Sequence, residues 1–366
     1  MKIRDVLDFL ELWAKKKYMD SWDKAGFHIG NKDDELRSIL IAMDITDTVV
    51  KKAIDENKNL IITHHPFIFQ PLDSIITSEY RGKLISLLLK HDISVYSLHT
   101  NFDLVKGGVN DVLADMFDLL DRESLGDHLY EKLYKLIVYS PLESEKQILE
   151  ALSKSKAGLI GNYKDCSFTS LGAGRFKPVE GSNPYIGQEN ILEVVKEIKI
   201  ESLVREEELK ATIDEILKVH PYEEVAYDII PLENKLGGLG YGRVGNIEPV
   251  SLQDFILRSK RILGLKNITV YGDTDDPIRR IALCGGGGSD FIKNAKDKGA
   301  QVYITGDCKY HDGQYANELG IVLIDGTHYA TEYPSLFKIK EYLLEIMDEK
   351  IEISIFDEMP FPVRTY

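Results

Sequence analysis

Residues 60–66 read Leu60-Ile61-Ile62-Thr63-His64-His65-Pro66, and the fold can be worked out from this stretch. The run 60–63 shows no alternation of apolar and polar residues, which predicts a strand buried on both faces. Helical patterns flank it at 46–56, where Asp47 is the expected cap, and at 83–90. Continuous apolar strands that alternate with amphipathic helices are typical of a parallel sheet covered on both faces. The stretch therefore predicts an α/β fold.

The same alternation extends in both directions along the chain. An amphipathic helix is predicted at 3–17, and strands are predicted at 38–44 and 93–98. The pattern returns from residue 268 and ends in a long helix at 334–347. Both ends of the chain therefore have the character of one α/β domain.

The middle of the chain has a different pattern. Two β-α-β halves over about 100 residues are typical of a ferredoxin-like unit. We place its limits near 128 and 232, and we take the Gly-rich residues 234–240 as its exit linker. The prediction is a discontinuous α/β domain of residues 1–127 with 233–366, interrupted by an α+β domain at 128–232.

Composition excludes several classes of protein. The chain has 366 residues and a formal net charge of -15, with 43% hydrophobic and 29% charged residues. This composition supplies a core and excludes a disordered chain. The acidic balance argues against nucleic acid as a partner, because phosphate neutralisation needs a basic face.

The chain also has no feature of a secreted or membrane protein. Its first residues carry too many charges for a signal peptide, and no apolar run approaches the roughly 18 residues of a membrane span. The three cysteines fit no disulfide framework. We therefore expect a cytoplasmic protein without a membrane partner.

Histidine and carboxylate side chains follow four of the predicted strands. They are His64 and His65 after 60–63, His99 and Asp103 after 93–98, Asp307 after 302–305, and His328 and Glu332 after 321–324. Carboxyl ends of parallel strands share one edge of a sheet, and ligands bind at that edge. Residues far apart in sequence are therefore expected to converge there.

These residue types suit a metal centre. Three His, one Asp and one Glu would suit Zn²⁺, Fe²⁺, Mn²⁺ or Co²⁺. The i, i+4 spacing of His328 and Glu332 places both on one face of a helix. Five ligands exceed the three of an open catalytic zinc site, but they are enough for two metal ions that activate a water. Taken singly, each motif is more often a turn or a helix cap than a metal ligand.

Two other motifs have simpler interpretations. Gly285–Gly288 lies between a strand and a helix, where it could contact a phosphate or form only a tight turn. It lacks the Gly-Lys-Ser/Thr ending of a P-loop. The segment 220–224, His220-Pro221-Tyr222-Glu223-Glu224, belongs to the middle unit, where we interpret it as a turn before a strand.

With these residues identified, the chain resembles the GTP cyclohydrolase 1 type 2 homologues, also called the Nif-three-like family, over nearly its whole length. The motifs in the α/β part are Trp22-Asp23-x-x-Gly26-Phe27, Thr63-His64-His65-Pro66, His99-Thr100-Asn101-Phe102-Asp103, Cys284-Gly285-Gly286-Gly287, Thr305-Gly306-Asp307 and Asp325-Gly326-Thr327-His328-x-x-x-Glu332. Those in the middle unit are Gly161-Asn162-Tyr163, Gly172-x-Gly174-x-Phe176, Asn183-Pro184-x-Ile186-Gly187 and the segment 220–224. The second set is similar to the PII-like or CutA-like insert of the longer bacterial members.

The resemblance implies a three-layer α/β domain with a dinuclear metal site. Its metal ligands would be His64, His65, Asp103, His328 and Glu332, with Glu332 as the bridge. His99 would lie close by, as a second-sphere group or proton shuttle. The resemblance also implies a toroidal homohexamer, a trimer of dimers, with the inserts at the ends of the ring.

The expected activity is hydrolysis of a nucleotide-like small molecule, as the family name suggests. For GTP, attack would fall on the imidazole carbon of guanine, with ring opening and release of formate. Two alternatives stay open at this point. One is a metal-dependent phosphoesterase, and the other is a non-enzymatic hexamer that binds metal as a regulator or scaffold.

Overall fold

The computed structural model describes residues 1–347 and 351–358, and the chain divides into two compact units. The first unit comprises residues 1–129 and 239–366, and the second comprises residues 130–238. The elements up to the second unit are α1 (Ile3–Trp13), β1 (Gly26–Ile29), β2 (Ser38–Ala42), α2 (Asp47–Asp55), β3 (Leu60–Thr63), α3 (Tyr80–Lys90), β4 (Ser94–Ser97), α4 (Thr100–Leu104), α5 (Val109–Met116) and β5 (Leu120–Pro141).

The remaining elements complete both units. Those that follow β5 are α6 (Glu145–Lys154), β6 (Ser167–Phe176), β7 (Glu193–Arg205), α7 (Glu206–Val219) and β8 (Tyr227–Val250). The last part of the chain forms α8 (Leu252–Ile262), β9 (Thr269–Tyr271), β10 (Ile278–Leu283), α9 (Ile292–Asp297), β11 (Val302–Thr305), α10 (Tyr310–Leu319), β12 (Val322–Asp325), α11 (His328–Glu332), α12 (Ser335–Ile346) and β13 (Glu352–Ile355).

One sheet of the first unit has the strand order β1-β4-β3-β2-β13. Its last four strands are parallel, and β1 is antiparallel to β4. Alternate residues point to opposite faces, so Leu60 and Ile62 pack with α1 and α12, while Ile61 packs with α2 and α3. Both faces are covered, which explains why the three central strands β2, β3 and β4 are buried along their whole length.

The other strands of the first unit belong to a second sheet. Parallel β10, β11 and β12 lie between antiparallel β8 and β9. One face packs against α5 and α8, and the other packs against α9 and α10. Helix α5 also contacts α11 and α12.

The second unit has the chain order β5-α6-β6-β7-α7-β8 and the sheet order β6-β7-β5-β8. This is the ferredoxin-like topology. Its core is formed by apolar residues of β5, β7, α6 and α7, including Val138, Ile148, Ile200 and Ile216. The prediction of an α/β fold that carries an inserted ferredoxin-like α+β unit is confirmed.

Several local predictions were wrong. The expected convergence on one sheet edge was wrong, because β3 and β4 belong to one sheet while β11 and β12 belong to another. Residues 234–240 are not a linker but part of strand β8. The cap of α2 is Thr46, whose side chain accepts from Val49 N, rather than Asp47. The last helix predicted at 334–347 is confirmed as α12 (Ser335–Ile346), with the separate short helix α11 before it.

None of the helices in the described ranges combines the length and the apolar character that a membrane crossing requires.

Candidate metal centre

His64 and His65 are held at the carboxyl end of β3. Their backbone N–H groups donate to the carbonyl oxygens of Ala42 and Met43, so the hydrogen-bonding to β2 continues beyond the strand. The Thr63 hydroxyl donates to the carbonyl oxygen of His65 over 2.8 Å. These bonds hold the backbone of both histidines in place without any ligand.

His99 and Asp103 follow the neighbouring strand β4. His99 is the N-cap residue of α4, and its backbone N–H donates to Asn101 Oδ1 over 3.0 Å. Asp103 lies inside this short helix rather than capping it, and its side chain is largely buried. The turn of helix therefore directs the Asp103 carboxylate towards His64.

His328 and Glu332 come from the second sheet. Strand β12 ends at Asp325, and Thr327 caps α11 by accepting a hydrogen bond from Ala330 N. Thr327 has φ +61°, a left-handed conformation that non-glycine residues rarely adopt. Because His328 and Glu332 are four residues apart on α11, their side chains meet, with Nε2 and Oε2 3.1 Å apart.

Glu332 lies at the centre of the cluster. Its Oε2 is 3.1 Å from His65 Nε2 and 3.1 Å from His328 Nε2. Its Oε1 is 3.6 Å from His64 Nε2, which is itself 3.7 Å from Asp103 Oδ1. The two carboxylate oxygens therefore face two different groups of donor atoms. All five residues that sequence reasoning proposed as ligands are brought together.

Some of the most deeply buried atoms of the cluster have no hydrogen-bond partner. His64 is fully buried, and neither of its ring nitrogens has a partner among the described residues. The same holds for Asp103 Oδ1. Leaving buried polar atoms unpaired costs about 1–3 kcal/mol each, so a missing partner is indicated. Imidazole nitrogen and carboxylate oxygen atoms fit a divalent cation in that place.

The pKa values of the histidines shift in different directions in this environment. Burial lowers the pKa of His64, and Glu332 only partly opposes this effect. Burial also acts to lower the pKa of His65, but hydrogen bonds to Asp44 and Glu332 outweigh it and raise the pKa to about 10. Glu332 raises the pKa of His328 to about 9 despite burial. Protons on His65 and His328 thus supply positive charge around Glu332.

The two buried carboxylates also differ. Burial and the nearby Glu332 raise the pKa of Asp103 well above its usual range. Burial acts in the same direction on Glu332, but the surrounding histidines, His64 first, outweigh it and hold its pKa well below its usual range. A divalent cation would replace these protons as the source of positive charge, which is the usual coupling of metal binding to proton release.

Three of the four histidines are oriented by an aspartate on Nδ1. The pairs are His65 with Asp44 at 2.8 Å, His99 with Asp23 at 2.7 Å, and His328 with Asp307 at 2.7 Å. Metal-binding histidines commonly donate their second N–H to a carboxylate in this way, which fixes the tautomer.

Sequence reasoning missed the roles of these aspartates. Asp44 and Asp307 each lie two residues beyond the end of a strand, β2 and β11. Asp44 therefore follows the same strand-end pattern as the predicted residues, among which Asp307 is already named. Asp23 lies in the irregular segment before β1, outside the strand-end pattern, and its signal is the motif Trp22-Asp23-x-x-Gly26-Phe27 that carries the resemblance.

Gly285–Gly288 packs against the cluster. The N–H groups of Gly285, Gly286 and Gly288 donate to the side-chain oxygens of Asn110, Thr331 and Thr305, respectively. Because these N–H groups already donate to protein oxygens, the tight turn is favoured over the phosphate contact. A Cβ atom on Gly286 would lie 2.1 Å from Glu332 Oε1, so only glycine lets the turn approach the carboxylate this closely.

His220 is not part of this cluster. Its Nε2 lies 2.9 Å from the carbonyl oxygen of Tyr139, and its Nδ1 accepts from Tyr222 N over 3.1 Å. Both ring nitrogens are therefore engaged by the backbone of the second unit, which is consistent with a turn.

Fold and site together define a class: a discontinuous α/β protein with a buried cluster of histidine and carboxylate groups that could hold metal ions. The chain belongs to the Duf34/NIF3 (NGG1p interacting factor 3) family, whose model matches residues 1–362.

Curated relatives and a solved structure agree with this assignment. A Bacillus subtilis (strain 168) protein named GTP cyclohydrolase 1 type 2 homolog is 38% identical over 363 residues, covering 98% of this chain and 97% of the relative. A protein of the same name from Halalkalibacterium halodurans is 40% identical over 348 residues, covering 94% and 93%. The crystal structure of a Bacillus cereus protein related to NIF3 has a TM-score of 0.86 and 36% identity, covering 100% of this chain and 99% of that one.

Proposed function

We propose that the chain is a metal-dependent hydrolase that holds two divalent ions, Zn²⁺, Fe²⁺, Mn²⁺ or Co²⁺, and acts on a nucleotide-like small molecule. The name that the curated relatives share, GTP cyclohydrolase 1 type 2 homolog, supports the direction of this proposal. The ligands would be His64, His65, Asp103, His328 and Glu332.

One observation carries the proposal, and it is the position of Glu332. Its Oε1 faces His64, which in turn faces Asp103, while its Oε2 faces His65 and His328. A carboxylate between two separate donor sets is suited to bridge two ions. Divalent ions at such a site supply Lewis-acid activation of water and of a substrate oxygen.

His99 would move a proton beside the five proposed ligands. A ligating atom of His99 lies within 4.8 Å of those of His64 and His65. Burial acts to raise the pKa of Asp23, but the bond to His99 outweighs it and holds the pKa at about 2. The ionised Asp23 is positioned to accept the Nδ1–H of His99, which would hold the ring in one orientation and leave Nε2 as the atom that exchanges a proton.

The metal content tests the first half of the proposal. Elemental analysis of carefully purified protein should give close to two divalent ions per chain. A His65→Ala, Asp103→Ala double variant should lose them, while His311→Ala, which removes an exposed histidine, should keep them. Absence of bound metal in the unmodified protein after supplementation with Mn²⁺, Zn²⁺ or Fe²⁺ would sink the proposal.

Turnover tests the second half. Protein loaded with each metal should hydrolyse GTP, and the same double variant should not. Cleavage of a panel of phosphoesters instead of GTP would favour the phosphoesterase. Full metal content without turnover of either substrate class would favour the non-enzymatic regulator or scaffold.

We also propose that residues 128–232 form an insert of the PII or CutA kind and that the chain assembles as a homohexamer, a trimer of dimers. The βαββαβ order of the second unit supports the first statement. Light scattering coupled to size-exclusion chromatography tests the second, and a monomer or dimer at micromolar concentration would contradict it.

A further inference from the structure

Trp22 differs from the other tryptophan of the chain in its surroundings. Trp13 packs against Phe102 and Tyr342, with ring centroids 4.9 and 4.5 Å away, and contributes to the core. Trp22 is 54% exposed. A single exposed apolar side chain is ordinary on a protein surface, so the exposure of Trp22 is informative only together with its location.

That location is the edge of the candidate metal centre. The Trp22 ring lies 6.0 Å from that of His99 at an interplanar angle of 84°. The His99 ring in turn lies 5.3 Å from His64 and 5.8 Å from His65. Phe102, another ring that contacts a histidine of the cluster, is fully buried, whereas Trp22 presents its surface to solvent.

Trp22 is also held in place. A turn closed by Asp23 N donating to Asp20 O contains it. The next residue, Asp23, is 1% exposed and accepts hydrogen bonds from Thr100 N and from Lys24 N. These bonds fix the backbone beside the indole, so a ligand would have to order only the side chain, which lowers the entropic cost of binding.

A second ring extends the surface. Phe69, in the segment that follows His65-Pro66, lies 6.1 Å from Trp22 at an interplanar angle of 57°. The rings of His99, Trp22 and Phe69 thus form a continuous aromatic wall from the metal centre to solvent. We call Trp22 and Phe69 the stacking pair.

We propose that the stacking pair binds a planar nitrogen heterocycle, such as a purine base, of a ligand whose reacting group lies at the metal centre. This inference rests on the proposed function, since it names the part of the substrate that is recognised beside the ions. Two rings offer the area of one flat ligand and far less than the surface that a protein partner requires. A base presents a π-face that stacks on an indole whatever its substituents.

The chain offers a direct reporter for this site. In a Trp13→Phe variant, Trp22 is the single tryptophan. We expect GMP and guanosine to quench its fluorescence saturably, in both Mn²⁺-loaded and chelator-treated protein. Ribose 5-phosphate, which lacks the ring, should produce no such quenching. Absence of saturable quenching by both ring-containing probes would overturn the proposal.

Calorimetry on the chain with Trp13 intact gives an independent measurement. Trp22→Ala should weaken GMP binding by about 5- to 100-fold, whereas Trp22→Phe, which keeps a ring, should stay within a few-fold of the unmodified protein. Phe337→Ala is the matched control, because Phe337 is also 54% exposed. Equal GMP affinity of Trp22→Ala and Phe337→Ala would overturn the proposal.

These readouts separate the two proposals. Trp22-dependent binding without turnover of any substrate would leave the stacking pair in place and refute the hydrolase. Turnover with GMP binding that is independent of Trp22 would refute the stacking pair alone.

Discussion

Gly286→Ala is the substitution that tests the geometry of the centre most directly. The new Cβ atom would lie 2.1 Å from Glu332 Oε1, so the carboxylate oxygen must move by about 1 Å to reach a normal contact distance. Gly286 also has φ +66°, where a residue with a side chain costs about 1–2 kcal/mol. Metal–ligand distances tolerate only about 0.2 Å, so a displacement of this size would prevent Oε1 from acting as the proposed ligand.

The expected result is a loss of metal affinity of at least about tenfold, measured by competition with a chromophoric chelator, together with reduced metal content. Gly287→Ala is the control, because its Cβ would find its nearest neighbour, Asp307 Oδ2, at an ordinary 3.7 Å. If both variants hold the same amount of metal with the same affinity, the argument that Glu332 Oε1 belongs to the centre is refuted.

Three further predictions concern carboxylates of the site and a histidine outside it. Asp103→Asn should lose metal but make chelator-treated protein more resistant to urea at pH 8. The reason is that a buried carboxyl group whose pKa is raised by folding destabilises the fold once the pH exceeds the pKa of that group in the unfolded chain. A variant that is less resistant to urea would contradict this. Asp23→Asn should keep the metal but lower kcat by about 100-fold, because the His99 tautomer is no longer fixed; unchanged kcat with unchanged metal content would contradict it. Burial lowers the pKa of His28 to about 4, so the free energy of unfolding should decrease as the pH falls from about 6.5 towards 4. In His28→Gln, the free energy of unfolding measured with urea should depend less on pH over this range. An unchanged slope would assign the pH dependence to other groups.

The residues of the candidate metal centre could be found from the sequence because their positions follow a local rule. His64 and His65 directly follow β3, and His328 and Glu332 closely follow β12, as the buried apolar runs indicated. The rule does not depend on which sheet each strand joins. Convergence was therefore predicted correctly even though the single shared edge was wrong.

Two other features were not accessible, for physical reasons. Strand β6 has no position assigned to it by the sequence, because its residues are partly or fully exposed along its whole length and show no hydrophobic period. The separation into two sheets depends on antiparallel neighbours such as β1, β8 and β9. Their pairing is decided by contacts far apart in sequence, which a local pattern does not record.

Because Glu332 lies on α11, near the end of the sequence, it is synthesised long after the first residues of the cluster. His64, His65 and Asp103 are synthesised early, but the carboxylate at the centre of the cluster follows His65 by 267 residues. At about 5–20 residues per second, a ribosome takes roughly 10–50 s to cover that distance. A nascent chain therefore carries an incomplete set of donors for most of its synthesis, so metal ions that need all five proposed ligands could be fully bound only late in biogenesis.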